Sequence, residues 1–509
     1  MPTQTSVSTL KYFIQTFGCQ MNYSDTERVA SVLEKAGYLK AEKLEEVDLF
    51  IFNTCSIKQK GEDRVYGIIK NIALMKRANP RLLIGITGCM VRQTSSRNSE
   101  WEKKDDLVKN LHSLDFVFHI TDTHKLAEIL AEAEPTLELP NEISGQTPPQ
   151  ITNAPKAGDY LAGSTSSNTS PEIPESRLDY LQVAPTYATK FQAFVPIQIG
   201  CDKYCTYCIV PYSRGREQSR KMSEIVSECR QLVENGCKEI TLVGQTVNSY
   251  GLSDLDKKNG LFEDYHQAEA ITRATTQLPF IKLLQEINAL SELGLNRLRY
   301  TSPHPRDLSD QLIEAHATLK TLCPYIHLPI QSGDNQVLAK MNRKYTVEQY
   351  REKVQKLRRA VPNCVITTDI IVGFCGETDA QFQSTARLFR EIRWDQAYIS
   401  RYSQRQGTVA GKYFPDDVPT PVKAQRWHTL NNSLREISLE KNQAYLDRTL
   451  EVLVERFDPL TKEYEGRSRE MKVVQFQGDK PTTNPDLVGQ ILQIKITKAL
   501  PWVLKGERV

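Results

Sequence analysis

No feature limits this chain as sharply as Cys201-Asp-Lys-Tyr-Cys205-Thr-Tyr-Cys208. Three thiols stand close together, directly after a β-type run at 194–199 and before a helical one. Thiolates suit soft metals and iron–sulfur clusters. A structural zinc site takes four ligands, and no fourth cysteine or histidine lies close by. On a four-iron cluster, three protein ligands leave one iron open to a small molecule. The competing reading is a zinc knot completed by a distant ligand.

A second set of thiols is dispersed. Cys19 follows an apolar run at 11–17, Cys55 one at 47–53 and Cys89 one at 82–87. Helical periodicities at 25–36 and 62–77 alternate with these runs, and 116–120 is expected as a further strand. Such alternation predicts a parallel sheet covered by helices. Parallel strands share a carboxyl edge, where sites collect. Three cysteines at equivalent strand ends can therefore converge, which suits a second cluster with three protein ligands. Any one of them alone would read as an ordinary buried cysteine.

The alternation returns six times between 193 and 447. Strands are expected at 194–199, 239–243, 297–301, 325–330, 365–372 and 396–402, with helices among them such as 223–235 and 347–359. Six βα units form either a partial barrel or a doubly wound sheet, and periodicity alone does not choose. Past 449, runs at 450–454, 473–477 and 488–497 point to a small all-β barrel or sandwich. The Ser/Thr-rich stretch 164–171, with prolines around it, reads as flexible linker, and 261–276 as a loop insertion. The expected fold class is α/β multidomain, with segments 9–134, 135–186 (linker), 187–440 and 441–509.

Composition narrows the setting. At 39% apolar residues the chain can build real cores. Its net charge of +3 excludes a global electrostatic pull on nucleic acid, leaving only local patches. Eleven cysteines in so long a chain do not resemble a secreted disulfide framework. Neither a signal peptide nor a membrane-spanning run is evident, so a reducing cytoplasm is the expected compartment, with no membrane partner.

The Cys-x3-Cys-x2-Cys pattern resembles the radical S-adenosylmethionine superfamily. Thr16-Phe-Gly-Cys-Gln-Met-Asn22, Asn53-Thr-Cys-Ser56 and Gly88-Cys-Met90 resemble the amino-terminal domain of its methylthiotransferases. Further matching blocks are Ser213-Arg-Gly-Arg216, Gly244-Gln-Thr-Val-Asn-Ser-Tyr250, Leu328-Pro-Ile-Gln-Ser-Gly333, Met341-Asn-Arg343 and Gly373-Phe-Cys-Gly-Glu377. The wording of the first motif is similar to the branch that modifies isopentenylated adenosine next to the tRNA anticodon.

The resemblance implies a partial (βα)6 barrel and a C-terminal TRAM domain, an RNA-binding module. It also implies two 4Fe-4S clusters and S-adenosylmethionine as cofactors. Cys201, Cys205 and Cys208 would hold the cluster that cleaves S-adenosylmethionine. Cys19, Cys55 and Cys89 would hold the cluster that carries or donates sulfur, which a second S-adenosylmethionine methylates. The implied target is C2 of adenine, a bond that side-chain acids and bases cannot activate. The implied partners are the tRNA anticodon loop, an electron donor and a sulfur donor, with the chain working as a monomer. Sister branches act on threonylcarbamoyl-adenosine or on a ribosomal-protein aspartate. A reading of another class is a non-catalytic, zinc-containing RNA-binding protein.

Gly244, Gln245, Gln331, Gly333 and Gly373 fall at strand carboxyl ends, where a nucleoside cofactor would sit. Arg214, Arg216, Arg220 and Lys221, and separately Arg467, Arg469 and Lys472, are candidate phosphate contacts; a solvated charged face is the plainer alternative. Tyr398 and Tyr402 are candidate stacking residues, though core packing is the stronger expectation. Cys229, Cys237, Cys323 and Cys364 read as buried apolar residues, and His304 as structural. Cys375, Gln404 and Gln406 depart from the family's usual prolines.

Overall fold

A computed structural model describes residues 10–55, 59–91, 113–133, 176–254, 277–478 and 487–509. The first region forms β1 (Lys11–Thr16), β2 (Leu39–Lys40), β3 (Leu49–Thr54), β4 (Leu83–Gly88) and β5 (Phe116–Val117). All pair in parallel, in the order β2-β1-β3-β4-β5. Strand β3 is buried at every position. Because strand side chains alternate in direction, Leu49 and Ile51 enter the core on one face, and Phe50 and Phe52 that on the other. Burying each such side chain contributes about 1.5–3 kcal/mol. Helices Gln20–Lys35 and Leu126–Ala133 cover the first face, and Gln59–Ala78 the second. Coverage on both faces explains why β3 reads as a continuous apolar run.

Two elements differ from expectation here. The first helix starts at Gln20, not at 25, because Asn22 Oδ1 accepts a hydrogen bond from the Cys19 N–H and starts the helix without an apolar stripe. The expected strand at 116–120 shortens to two residues before a 3-10 turn, Ile120–Lys125.

The central region forms β6 (Gln192–Pro196), β7 (Glu239–Val243), β8 (Arg297–Tyr300), β9 (Tyr325–His327), β10 (Val365–Val372) and β11 (Gln396–Arg401). Strands β6-β7-β8 and β9-β10-β11 each pair in parallel and in chain order. A parallel bridge from Leu298 to Leu322 joins the two halves. Chain order without a reversal is a barrel, not a doubly wound sheet. Strand β9 is shorter than the expected 325–330, since Pro329 supplies no ladder N–H. The open edge β6 is covered by the first helix: Ser24 Oγ donates to Phe194 O, 3.1 Å.

The last region closes into a five-stranded barrel of β12 (Thr449–Asp458), β13 (Glu463–Ser468), β14 (Val473–Gln477), β15 (Ile491–Ala499) and β16 (Leu504–Arg508), in the order β12-β13-β14-β16-β15. Strands β13 and β16 escaped sequence reading. The inward residues of β13 are Tyr464, Gly466 and Ser468, two of them not apolar. This barrel docks under the amino ends of the central strands. Gln192 bonds Glu455, Lys238 donates to Gly489 O, and Arg297 reaches Glu451 and Arg467 O.

Of the expected linker 135–186, residues up to 175 and the stretch 164–171 lie outside the described residues, as does the insertion 261–276. The remainder is not all loop. Ser176–Gln182 is a helix whose Tyr180 and Leu181 are buried in the first domain's core.

Candidate active site

The loop of the first trio leaves the short strand Gln198–Ile199 at Gly200 and is gripped from three sides. Gly200 has φ +80, and a Cβ there would stand 2.1 Å from Arg216 O, so only glycine fits. The Cys201 N–H donates to Gly215 O, and Cys201 Sγ lies 3.2 Å from Thr246 Oγ1. The block Met341-Asn-Arg343 clamps the middle of the loop. Met341 O accepts from the Thr206 N–H, and Asn342 donates to Tyr204 O. Buried Arg343 donates to Cys205 Sγ at 3.2 Å while also holding Tyr345 Oη and Pro329 O. Burial pushes the Cys201 thiol up to about 11, and Cys208 higher still. Both are therefore neutral thiols until a metal displaces their protons.

The second trio forms at the shared carboxyl edge of β1, β3 and β4, which are neighbours in the sheet and so about 4.8 Å apart. Cys55 and Cys89 directly follow the paired residues Thr54 and Gly88, and the Cys89 N–H donates to Thr54 O. Cys19 is the N-cap of the first helix; burial and the neighbouring Cys89 push its thiol up, and Arg214 opposes them. Asn22 ties the cluster of loops together: Oδ1 accepts from the Cys19 N–H and Nδ2 donates to Asn53 Oδ1 and Thr54 O. A Cβ on Gly18 would meet the Cys55 Cβ at 3.0 Å, which shows how closely these two loops approach.

The two trios are linked through a single segment. Gly215 O holds Cys201, while the neighbouring Arg214 donates from Nε to Cys89 Sγ at 3.3 Å. Among the described residues, no three His, Cys, Asp or Glu side chains converge on the position of one metal ion. A four-iron cage spreads its thiolates over separate corners, and two all-cysteine donor sets fit that group better than a single zinc.

Beside the first trio a cavity of about 520 Å³ is lined by Tyr207, Cys208, Gln331, Asp369, Tyr398 and Trp427, among others. Gln331, at φ +72, bridges to Ile370 and borders it. Gln245 Oε1 and Gln198 Oε1 are buried without a hydrogen-bond partner near Gly244, acceptors suited to a polar ligand. Gly333 serves another purpose: a Cβ there would meet Thr385 Cα at 2.5 Å, so it lets the helix Asp379–Ile392 pack closely. Gly373, at φ +70, turns against the Lys423 side chain and donates its N–H to Glu377.

Sequence reading missed a pair at the cavity. His327 Nε2 lies 3.1 Å from Asp369 Oδ2, its Nδ1 lies 2.9 Å from Thr367 Oγ1, and the ring of Tyr398 stands edge-on to it. Residues 367 and 369 share one face of β10, a period-2 signal that could have been read. Tyr402, by contrast, is core, packed on Phe374 and Lys423. His304 is buried edge-on to Tyr345, and burial beside Arg343 and Lys203 holds its imidazole well below the usual range. Cys229, Cys237, Cys323 and Cys364 are buried. Cys375 is also buried, packing with Phe374, Tyr402 and Phe414. Gln404 donates to Gly411 O, restoring by hydrogen bond some of the stiffness that proline would confer.

The basic clusters need correcting. Arg214 pairs with Asp25, and Arg220 with Glu228 and Pro196 O, all buried or nearly so. Arg469 is spent on Asn296 O and Lys320 O, Lys472 on Asp395, and Arg467 on Glu455. Arg214, Arg469 and Lys472 bind domains together, and their spacing in sequence gives no hint of it because their partners lie in other domains; Arg220 and Arg467 pair within their own domains. Lys221 remains exposed. Arg216 is half exposed, pairs with Asp202 and Asp254, and joins Lys203, Arg306 and Lys344 in a cleft of about 490 Å³ next to the first trio; Lys203 and Arg306 also pair with Asp307.

Family comparison agrees with this architecture. Residues 195–389 match the radical SAM superfamily, 11–110 the uncharacterized protein family UPF0004, and 443–509 the TRAM domain. The radical S-adenosylmethionine methyltransferase TsrM from Kitasatospora setae, solved with cobalamin and a 4Fe-4S cluster, shares the fold at TM-score 0.50 and 15% identity, over 79% of this chain and 74% of its own. The tRNA-2-methylthio-N(6)-dimethylallyladenosine synthase of Thermoanaerobacter sp. (strain X514) is 38% identical over 98% of this chain and 93% of its own length. That of Anoxybacillus flavithermus is 38% identical over 98% and 83%, and that of Caldicellulosiruptor saccharolyticus 37% over 97% and 92%. Enzymes of this kind use S-adenosylmethionine and 4Fe-4S clusters. This chain belongs to the family of tRNA-2-methylthio-N(6)-dimethylallyladenosine synthases, radical S-adenosylmethionine methylthiotransferases.

Proposed function

We propose that this chain transfers a methylthio group to C2 of N6-isopentenyladenosine next to the tRNA anticodon. Cys201, Cys205 and Cys208 hold the cluster that receives S-adenosylmethionine, and Cys19, Cys55 and Cys89 hold the cluster that carries sulfur. The observation behind this reading is the convergence of both trios on the segment Ser213–Arg216, one through Gly215 O and one through Arg214.

The bound clusters and S-adenosylmethionine supply the radical and sulfur chemistry; the chain's residues position and shield it. Gly200 and the Met341–Arg343 clamp fix the first loop, and Arg343 places positive charge on the Cys205 sulfur. Gln245, with its unpartnered carbonyl, and Gln331 orient the cofactor. The Tyr207, Ile371 and Trp427 walls keep the cavity apolar and dry, which protects a reactive species from water. Tyr398, 44% exposed at the cavity, offers a stacking face to the adenine. The cleft of Lys203, Arg216, Arg306 and Lys344 receives RNA phosphate.

This reading calls for an electron donor and a sulfur donor, and for a monomer acting in the cytoplasm, where tRNA is modified. The domain limits follow the sequence reading: 9–134, 187–440 and 441–509 around the segment 135–186.

The test is anaerobic reconstitution with iron and sulfide, then nucleoside analysis by mass spectrometry. Wild type is expected to give the methylthio-isopentenyl nucleoside. Cys205→Ala is expected to abolish S-adenosylmethionine cleavage. Cys55→Ala is expected to retain some cleavage without sulfur insertion, and normal product from it refutes the sulfur role. Product on threonylcarbamoyl-adenosine, or on a protein aspartate, reassigns the substrate.

A further inference from the structure

Arg214 is 2% exposed and stands where the first two domains meet. Its three nitrogens have different fates. Nε donates to Cys89 Sγ at 3.3 Å, and Nη2 pairs with Asp25 Oδ2 at 2.6 Å, itself 1% exposed. Nη1 is buried with no hydrogen-bond partner among the described residues. A charged N–H left unpaired in a buried site is costly, so the guanidinium keeps donor capacity beyond its bonds to Cys89 and Asp25. The guanidinium faces Cys89 and acts electrostatically on Cys19.

We propose that Arg214 is a positioning residue for the cluster of Cys19, Cys55 and Cys89, donating to the Cys89 sulfur and thereby raising the cluster's reduction potential. The inference rests on the assignment of that cluster above. A thiolate-bound cluster becomes more negative on reduction. N–H···S bonds and a fixed positive charge stabilise the reduced form more than the oxidised one. Asp25 opposes this by neutralising part of the charge. The same segment carries Gly215 O, which fixes Cys201. One turn of backbone thus registers the radical-forming loop against the sulfur-carrying cluster, and Arg214 couples its charge to that register.

The experiment uses the full chain with Cys201→Ala, Cys205→Ala and Cys208→Ala together, reconstituted with iron and sulfide so that only the second cluster is present. Iron is counted and the midpoint potential read by redox titration followed by electron paramagnetic resonance. In this background Arg214→Met is expected to move the potential negative. Arg214→Lys, which keeps charge but loses the planar fork, is expected to move it less. Asp25→Asn is expected to move it positive, because the guanidinium loses its counter-charge. A scaffold role does not produce opposite shifts. Unchanged potentials with iron retained overturn the proposal. Failure of both Arg214 variants to hold iron overturns it too, since the residue is then a scaffold. No iron in the triple-cysteine parent refutes the cluster assignment itself, a separate outcome.

Discussion

Gly200 carries more of the first trio's geometry than its size suggests. Its φ of +80 and the 2.1 Å approach of Arg216 O leave no room for a methyl group. Gly200→Ala is expected to displace the loop and lose the iron bound by Cys201, Cys205 and Cys208, with far-ultraviolet circular dichroism unchanged; iron counting checks it. A different residue governs acid stability. His316 is buried with Nε2 2.6 Å from Tyr300 Oη, and burial lowers its imidazole to about 4. Above the ordinary value near 6.5 it is neutral, folded or unfolded. As pH falls from there towards 4, the unfolded chain takes a proton that the folded one resists, so stability is lost over that window, by about 3 kcal/mol in all. His316→Gln is expected to flatten the fall in urea midpoint between pH 7 and 4.5. At this scale the two cysteine trios were legible as candidate ligands because the chemistry of a thiol is intrinsic to it. The roles of Arg214, Arg343 and the His327–Asp369 pair were not, because each depends on a partner remote in sequence.

Elements were most legible where burial is two-sided or strictly periodic. Strands β7 and β10 and the helix Val347–Ala360 fall within a residue of expectation. The helix Ser176–Gln182 was lost in a polar neighbourhood, since a short segment shows too little periodicity to stand out. Its weight lies in Tyr180, fully buried in the first domain's core. Tyr180→Ala is expected to destabilise that domain by about 3–5 kcal/mol, read as an earlier thermal transition. Tyr180→Phe is expected to be neutral or stabilising, because the hydroxyl has no hydrogen-bond partner. The first helix was misplaced at its start for a related reason: cysteine is not among the usual capping residues, and Asn22 completes the cap.

Across the molecule, the C-terminal barrel is held by arginines under the central one. Arg299 donates to Ser468 O and Arg469 O and pairs with buried Glu239. Burial raises the Glu239 carboxyl, but Arg299 and Arg297 outweigh it and hold the group below its ordinary range. Arg299→Met strips a charge from this network and is expected to cost about 3–5 kcal/mol. Hydrogen exchange is expected to rise together in β8 and β13, which the mutation uncouples. No helix among the described residues is long and apolar enough to cross a membrane.

The thiol spacings, the βα alternation and the small final barrel follow from sequence alone, because ligand chemistry and side-chain period are local properties. The tertiary structure decided that six strands run in chain order as a barrel, and that three strand ends bring Cys19, Cys55 and Cys89 together. It also turned Arg214, Arg469 and Lys472, candidates for RNA contact, into bolts between domains. Those outcomes depend on which buried charge finds which partner across the fold, and a pairing of that kind leaves no periodic trace in the chain.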